Sequence, residues 1–341
     1  MNCLTYRYRA FFAGARAYGY SEGMKKYFVL IAGLCVVSGA IAQSYPSRTI
    51  RWVAPSASGS TSDIVARLVA EKLGAALGTT VAVDNRPGAG GNIAAEIVVK
   101  SAPDGYTLLT GITPLAVNPS LYSKLGYDPL RDLAPVMLLS SAPLVLVVHP
   151  SIPAKTVRDV IALAKRRPGE LTFPSAGNGT ASHLAGEMFK MMAGVDMLHV
   201  PHKLVMQGVL DLVSGRMSLM INVLPEMLPF IRSGKLNAIA VTSLKRAEVT
   251  PELPTIDESG LRGFAVTSWQ GVLAAAKTPP EIIVKLNEEL GKVLRAPEMR
   301  TRMGELGLEI VAGSPEQFAQ HLRSETEKYA RIVKASGTKL D

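Results

Sequence analysis

Two short segments have the residue types needed to hold an anion. Ser56-Ala57-Ser58-Gly59-Ser60-Thr61-Ser62-Asp63 is dense in hydroxyls, and Arg86-Pro87-Gly88-Ala89-Gly90-Gly91-Asn92 is dense in glycine. Small residues let a backbone come close to a bound molecule, and N–H groups at a helix start point at negative charge. Ser56, Ser58, Gly59, Ser60 and Thr61 of the first segment are therefore candidate ligand contacts, as are Ala89, Gly90, Gly91 and Asn92 of the second. Asp63 has two readings. Ser60-x-x-Asp63 is spaced as a capping box, and the same carboxylate can order the loop whose donors meet the ligand. Gly88–Gly91 lacks the Lys-Ser/Thr of a P-loop and the spacing of a dinucleotide fingerprint. A backbone nest for a carboxylate is the sharper reading.

A third polar cluster is Ser175, Gly177, Asn178, Thr180 and His183. Serine with histidine raises a hydrolase, but there is no Gly-x-Ser-x-Gly elbow and no acid at a recognised spacing. His183, His199 and His202 make a poor zinc set, because positions three apart on a strand face opposite sides. No catalytic group, metal or cofactor is expected. Thr113, Asn118, His202 and Asn222 complete the candidate contacts.

The elements that must position these residues alternate between apolar strands and amphipathic helices, the pattern of an α/β fold with mostly parallel sheets. Ile50–Ala54 reads as a strand and Ser60–Leu77 as a helix, with Val65, Val69 and Leu73 at helical spacing and Gly78 just past its end. Thr80–Asp84, a helix over Ile93–Val99 and Thr107–Gly111 follow. The run Leu144–Val148 reads as a buried strand and opens a second α/β series, whose Ser175–His183 cluster lies where a strand meets a helix. Phe264–Ala276 is another extended apolar run, and the chain closes with helices opened by Thr278-Pro279-Pro280 and Ser314-Pro315. Two series joined by two extended runs predict two lobes crossed twice by the chain. Lobe one comprises 43–143 and 266–341, and lobe two 144–265.

The N-terminus reads as an export signal. Lys25-Lys26, the apolar run Phe28–Val37 and Ala40-Ile41-Ala42 have the order of a secretory leader cleaved after Ala42. The leader is 24–42, and 1–23 is an upstream extension that a misassigned start would explain. Both cysteines, Cys3 and Cys35, fall in this region, so a mature chain would contain no thiol, as the bacterial periplasm allows. The formal charge of +9 falls to +5 without residues 1–42. The basic residues are scattered and not interleaved with aromatics, which argues against nucleic acid.

These segments together resemble the receptors of tripartite tricarboxylate transporters, the Bug receptors, across Ser44–Lys334. The motifs that carry the resemblance are Tyr45-Pro46, Pro55…Gly59…Asp63, Asn85–Asn92 and Ala102-Pro103-Asp104-Gly105-Tyr106. Ser175–Thr180 with Ser182–Glu187, His199-Val200-Pro201, Ser268-Trp269 and Thr278-Pro279-Pro280 continue it. The resemblance implies a Venus-flytrap, type II periplasmic-binding fold, two α/β lobes joined by hinge strands. It implies a periplasmic, non-enzymatic, monomeric receptor that takes a small carboxylate in its cleft and passes it to integral membrane permease subunits, or else signals to a sensor partner. The chain departs from the family pattern on the ligand rim. Ser56 stands where an aromatic is usual, Gly59-Ser60 where two glycines are frequent, His202-Lys203-Leu204 where Tyr-Lys-Gly is usual, and Asn222 where Asp is usual. The loss of the acid at 222 favours a plain carboxylate over an amino acid.

Overall fold

The computed structural model describes residues 45–336. The upstream extension, the leader, its cleavage point and both cysteines lie outside the described residues. Strand β1 (Ile50–Ala54) leads into α1 (Thr61–Leu77), β2 (Val81–Asn85), a 3-10 turn at Ala89–Gly91, α2 (Asn92–Val99), β3 (Thr107–Ile112) and α3 (Pro114–Leu121). A 16-residue strand, β4 (Leu133–Val148), follows. The second series is α4 (Val157–Arg166), β5 (Thr172–Ser175), α5 (Ala181–Ala193), β6 (Leu198–Pro201), α6 (Val205–Val213), β7 (Leu219–Val223), α7 (Leu224–Arg232) and β8 (Asn237–Val241). The chain returns through β9 (Thr267–Ala275) to α8 (Pro280–Arg295), α9 (Pro297–Glu305), β10 (Glu309–Ile310) and α10 (Pro315–Ser336).

Strand β4 belongs to both lobes. Its first part pairs with β9 from Leu133↔Ala275 to Pro143↔Thr267, within the order β10-β4-β9-β3-β1-β2. From Leu144 to Val148 it changes partners and runs between β7 and β8. The returning chain crosses at the same level: the Val266 N–H donates to Thr242 O, and Thr267 opens the pairing with Pro143. Proline at the changeover is chemically consistent, because it has no N–H to offer a ladder.

Leu144–Val148 is uninterrupted in hydrophobicity because both of its faces are covered. Leu144, Leu146 and Val148 join Phe173, Phe189 and Phe264 on one side, while Val145 and Val147 join Leu212, Met220 and Met227 on the other. In lobe one the sheet packs Trp52 against Val65, Val69, Leu286 and Leu290 from α1 and α8. Its opposite face packs Val53, Leu109 and Trp269 against Phe318 and Tyr329 of α10.

The sheets are more mixed than the alternating pattern predicts. Among the described residues, β1–β2, β1–β3 and β5–β6 are parallel, whereas β10–β4, β3–β9, β4–β7, β4–β8 and β4–β9 are antiparallel. The reason is the double crossing. Two strands that carry the chain out of lobe one and back must run in opposite directions, and β4 remains antiparallel to whatever flanks it.

Candidate functional site

The first turn follows β1. Ser60 is the N-cap of α1, and its hydroxyl accepts from the Asp63 N–H at 3.4 Å. The capping box is only half formed. The Ser60 N–H bonds to Ala57 O, and the Asp63 carboxylate takes the Gly59 N–H at 2.9 Å and the Ser58 hydroxyl at 3.4 Å. Its other oxygen accepts from Asn85 Nδ2 at 2.8 Å and Arg67 Nε at 3.0 Å. Asn85 Nδ2 also donates to Ser56 O, so the loop is tied to the end of β2. Asp63 thus orders the loop. Burial alone would raise its pKa, but hydrogen bonds from Arg67, the Gly59 N–H and Asn85 outweigh it and hold the carboxyl below its usual range. The N–H groups of Thr61 and Ser62 have no partner among the described residues. They are the orphan donors of a helix start.

The second turn is held from beneath. Gly88, Ala89, Gly90 and Gly91 all have positive φ, Ala89 at 48° and Gly90 at 61°. Asn118 on α3 donates to Gly90 O at 3.0 Å and to Asn92 Oδ1 at 2.6 Å, and Tyr127 donates to that same Asn92 oxygen at 2.9 Å. The side chains of Asn92 and Asn118 are thereby committed to shaping the turn. The N–H groups of Ala89 and Gly90 have no partner among the described residues. A small pocket beside this turn is lined by Pro55, Gly90, Gly91, Leu109, Ile112 and Leu115, with others. Thr113, the residue before α3, is buried, and its hydroxyl has no hydrogen-bond partner among the described residues.

In lobe two, Thr180 caps α5 with nearly the same backbone angles as Ser60 caps α1 (φ −73°, ψ 160° against φ −71°, ψ 160°). The Thr180 hydroxyl donates to Gly177 O at 2.7 Å, and the Gly179 N–H donates to His183 Nδ1 at 3.1 Å. Ala181 and Ser182 present unpartnered N–H groups among the described residues, as Thr61 and Ser62 do. Ser175 is fully buried. Its hydroxyl is occupied by the backbone of Gly177 and by His199 Nε2 at 2.7 Å. His199 in turn stacks on His183 with ring centroids 4.3 Å apart. Burial pushes both imidazoles down to about 4, with help from Lys190 at His183 and from His183 at His199. His202 points elsewhere, its Nε2 3.6 Å from Asp211 Oδ2. The three histidines do not converge, and no group of three metal-binding side chains occurs among the described residues.

Asn222, on β7, is buried and donates to Glu226 Oε2 at 2.8 Å. Glu226 Oε1 accepts from Thr61 Oγ1 at 3.2 Å, which joins α7 to the start of α1. The sequence argument passed over Glu226, whose neighbours show only an acid in the first turn of a helix. A carboxylate therefore stands directly against Asn222.

Two lobes crossed twice by the chain, each with a capped helix start bearing free N–H groups, define a class: a type II, two-lobed solute-binding receptor. Residues 65–338 match the family model described as tripartite tricarboxylate transporter family receptor. The chain is 35% identical over 314 residues to protein BugT of Bordetella pertussis, covering 92% of this chain and 96% of that one. The solved structure of R. palustris Rpa4515 with adipate has a TM-score of 0.82 and 36% identity, over 87% of this chain and 100% of that one. The periplasmic binding protein BugD gives 0.80 and 35%, over 86% and 99%. The chain belongs to the tripartite tricarboxylate transporter receptor family, the Bug receptors.

Proposed function

We propose that this chain is a periplasmic receptor that captures a small organic carboxylate between its lobes and delivers it to integral membrane permease subunits. The observation that carries the reading is the set of unpartnered backbone donors: Thr61 and Ser62 at one helix start, Ala89 and Gly90 at the adjoining turn, and Ala181 and Ser182 in lobe two. Such donors favour an anion, and the low charge density of a carboxylate suits backbone N–H groups without a cationic side chain. The adipate held by a relative of 36% identity supports the same ligand class.

Binding needs no chemistry from the chain. The buried Ser175 hydroxyl is engaged by the Gly177 backbone and by His199 Nε2, and among the described residues no carboxylate hydrogen-bonds to His199. Asp63, Asn85, Asn92, Asn118 and Tyr127 set the two turns in advance, which lowers the ordering cost that a ligand would otherwise meet. The small pocket beside Gly90 and Leu115 sets an apolar wall next to these donors.

A thermal-shift screen of the exported protein against mono-, di- and tricarboxylates tests this reading, because a ligand that binds only the folded state raises the melting temperature. At least one carboxylate should raise it and give a heat of binding in calorimetry. A folded protein that responds to none of them would refute the carboxylate assignment.

A further inference from the structure

Glu226 is a carboxylate placed against the donors of an anion site, and anion capture does not require it. Its oxygens are divided between the lobes, Oε1 on the Thr61 hydroxyl and Oε2 on the Asn222 amide. The side chain is half-buried, and among the described residues it forms no ion pair with Lys, Arg or His. A carboxylate has about four acceptor directions, and two are in use here. Thr61 contributes both a free N–H to the helix start and the hydroxyl that Glu226 holds. A ligand carboxylate bound at that helix start therefore has the rest of its molecule within a few ångströms of the Glu226 carboxylate.

We propose that Glu226 is a specificity-determining residue. It accepts a hydrogen bond from a hydroxyl, amide or ammonium group at the far end of the ligand, and it disfavours a ligand with a second carboxylate there. The proposal rests on the carboxylate reading above. A relative of 36% identity holds the dicarboxylate adipate, the kind of ligand that this chain would disfavour. Two like charges a few ångströms apart in a partly desolvated cleft lower affinity by about tenfold or more. A neutral or cationic donor in the same place gains a charge-assisted bond. Asn222, where the family pattern has Asp, donates to this carboxylate, so an acid stands beside that position on a longer side chain.

The test is calorimetry on the parent and on Glu226→Gln, which keeps the shape and removes the charge. The probes are succinate, butanoate, 4-hydroxybutanoate and 4-aminobutanoate, with adipate, 6-hydroxyhexanoate and 6-aminohexanoate as a longer set. The parent should bind a hydroxy or amino acid of one length at least about tenfold tighter than the matching diacid, and Glu226→Gln should shrink or reverse that ratio. Preference of the parent for the diacid, or a ratio unmoved by the substitution, overturns the proposal and leaves the carboxylate reading intact. No heat with any probe, from two folded proteins, removes the carboxylate reading, and the role of Glu226 falls with it.

Discussion

The Thr61 hydroxyl donates to the Glu226 carboxylate at 3.2 Å across 165 residues of sequence, and so joins the first helix of one lobe to a helix start in the other. The bond adds a side-chain link between the lobes to the β4 and β9 crossings and favours the lobes together. Its loss should release them.

Glu226→Ala should therefore raise the open population of the ligand-free protein. A charge-assisted hydrogen bond contributes about 1–2 kcal/mol, or roughly a five- to thirtyfold change in an equilibrium. Small-angle scattering should show a larger radius of gyration for the variant, and a saturating ligand should contract both proteins. Identical profiles under all conditions would mean a rigid cleft with no hinge at Pro143 and Val266.

At the first turn, two hydroxyls do different work, and variants should separate them. Ser60 caps α1, so Ser60→Ala should cost about 1 kcal/mol of stability, read as a fall of roughly 2 °C in melting temperature for a chain of this size. Thr61→Val removes the donor to Glu226 and should move ligand affinity by about 1 kcal/mol with a smaller effect on melting. Equal effects of the two on binding and on melting would contradict this division.

Gly90 makes a poor site for a simple steric block. Its φ of 61° lies in the left-handed region, and an added Cβ would meet Asn118 Oδ1 at 3.3 Å. Gly90→Ala should destabilise the fold by about 1–2 kcal/mol as well as weaken binding. Ala89, already at φ 48°, should accept glycine with little change in melting and retain binding. Denaturant titration of both variants checks the contrast.

The His183–His199 stack should make the fold acid-sensitive. Both imidazoles are pushed down to about 4 in the folded chain, whereas an unfolded histidine titrates near ~6.5. Between those values the unfolded chain binds more protons, so stability is full above pH ~6.5 and is lost as pH falls toward ~4. Each ring contributes up to about 1.4 kcal/mol per pH unit over that window. Asp63, held below its usual range, is a carboxylate whose contribution is lost only at still lower pH. Melting temperature measured from pH 7 to 4 should fall steeply for the parent and less steeply for His183→Gln. Parallel curves would exclude the pair as the cause.

The local elements were determined by sequence alone. The Ser60 cap, the apolar spacing through Leu73 and the closing Gly78 bound α1 within one residue of where it lies, because helix periodicity and caps are properties of neighbouring residues. The same holds for β1, read and found at Ile50–Ala54. Several elements were hidden, β4 and α3 among them. Only the last five residues of β4 read as a strand, since Pro135, Ser140-Ser141 and Pro143 interrupt the apolar pattern; register shifts at Pro135/Met137 and Leu138/Ser140 accommodate the interruptions. Helix α3 is short and contains two prolines, Pro114 and Pro119, yet it carries the Asn118 that shapes the second turn.

The donor-rich turns themselves could be read in the chain, because hydroxyl and glycine content is a property of a segment. Which polar side chains are bound up in supporting the loops was decided by tertiary structure. Asp63 bonds to Asn85, Asn92 to Asn118 and Tyr127, and Ser175 to His199; each of these partners arrives from another element. Glu226 is the clearest case. Its sequence neighbours show only an acid in the first turn of a helix, and its meeting with Thr61 exists because β4 and β9 bring the two lobes together. Periodicity records what a residue does for its own segment. A contact made across 165 residues leaves no such record, since it depends on how separately formed segments pack.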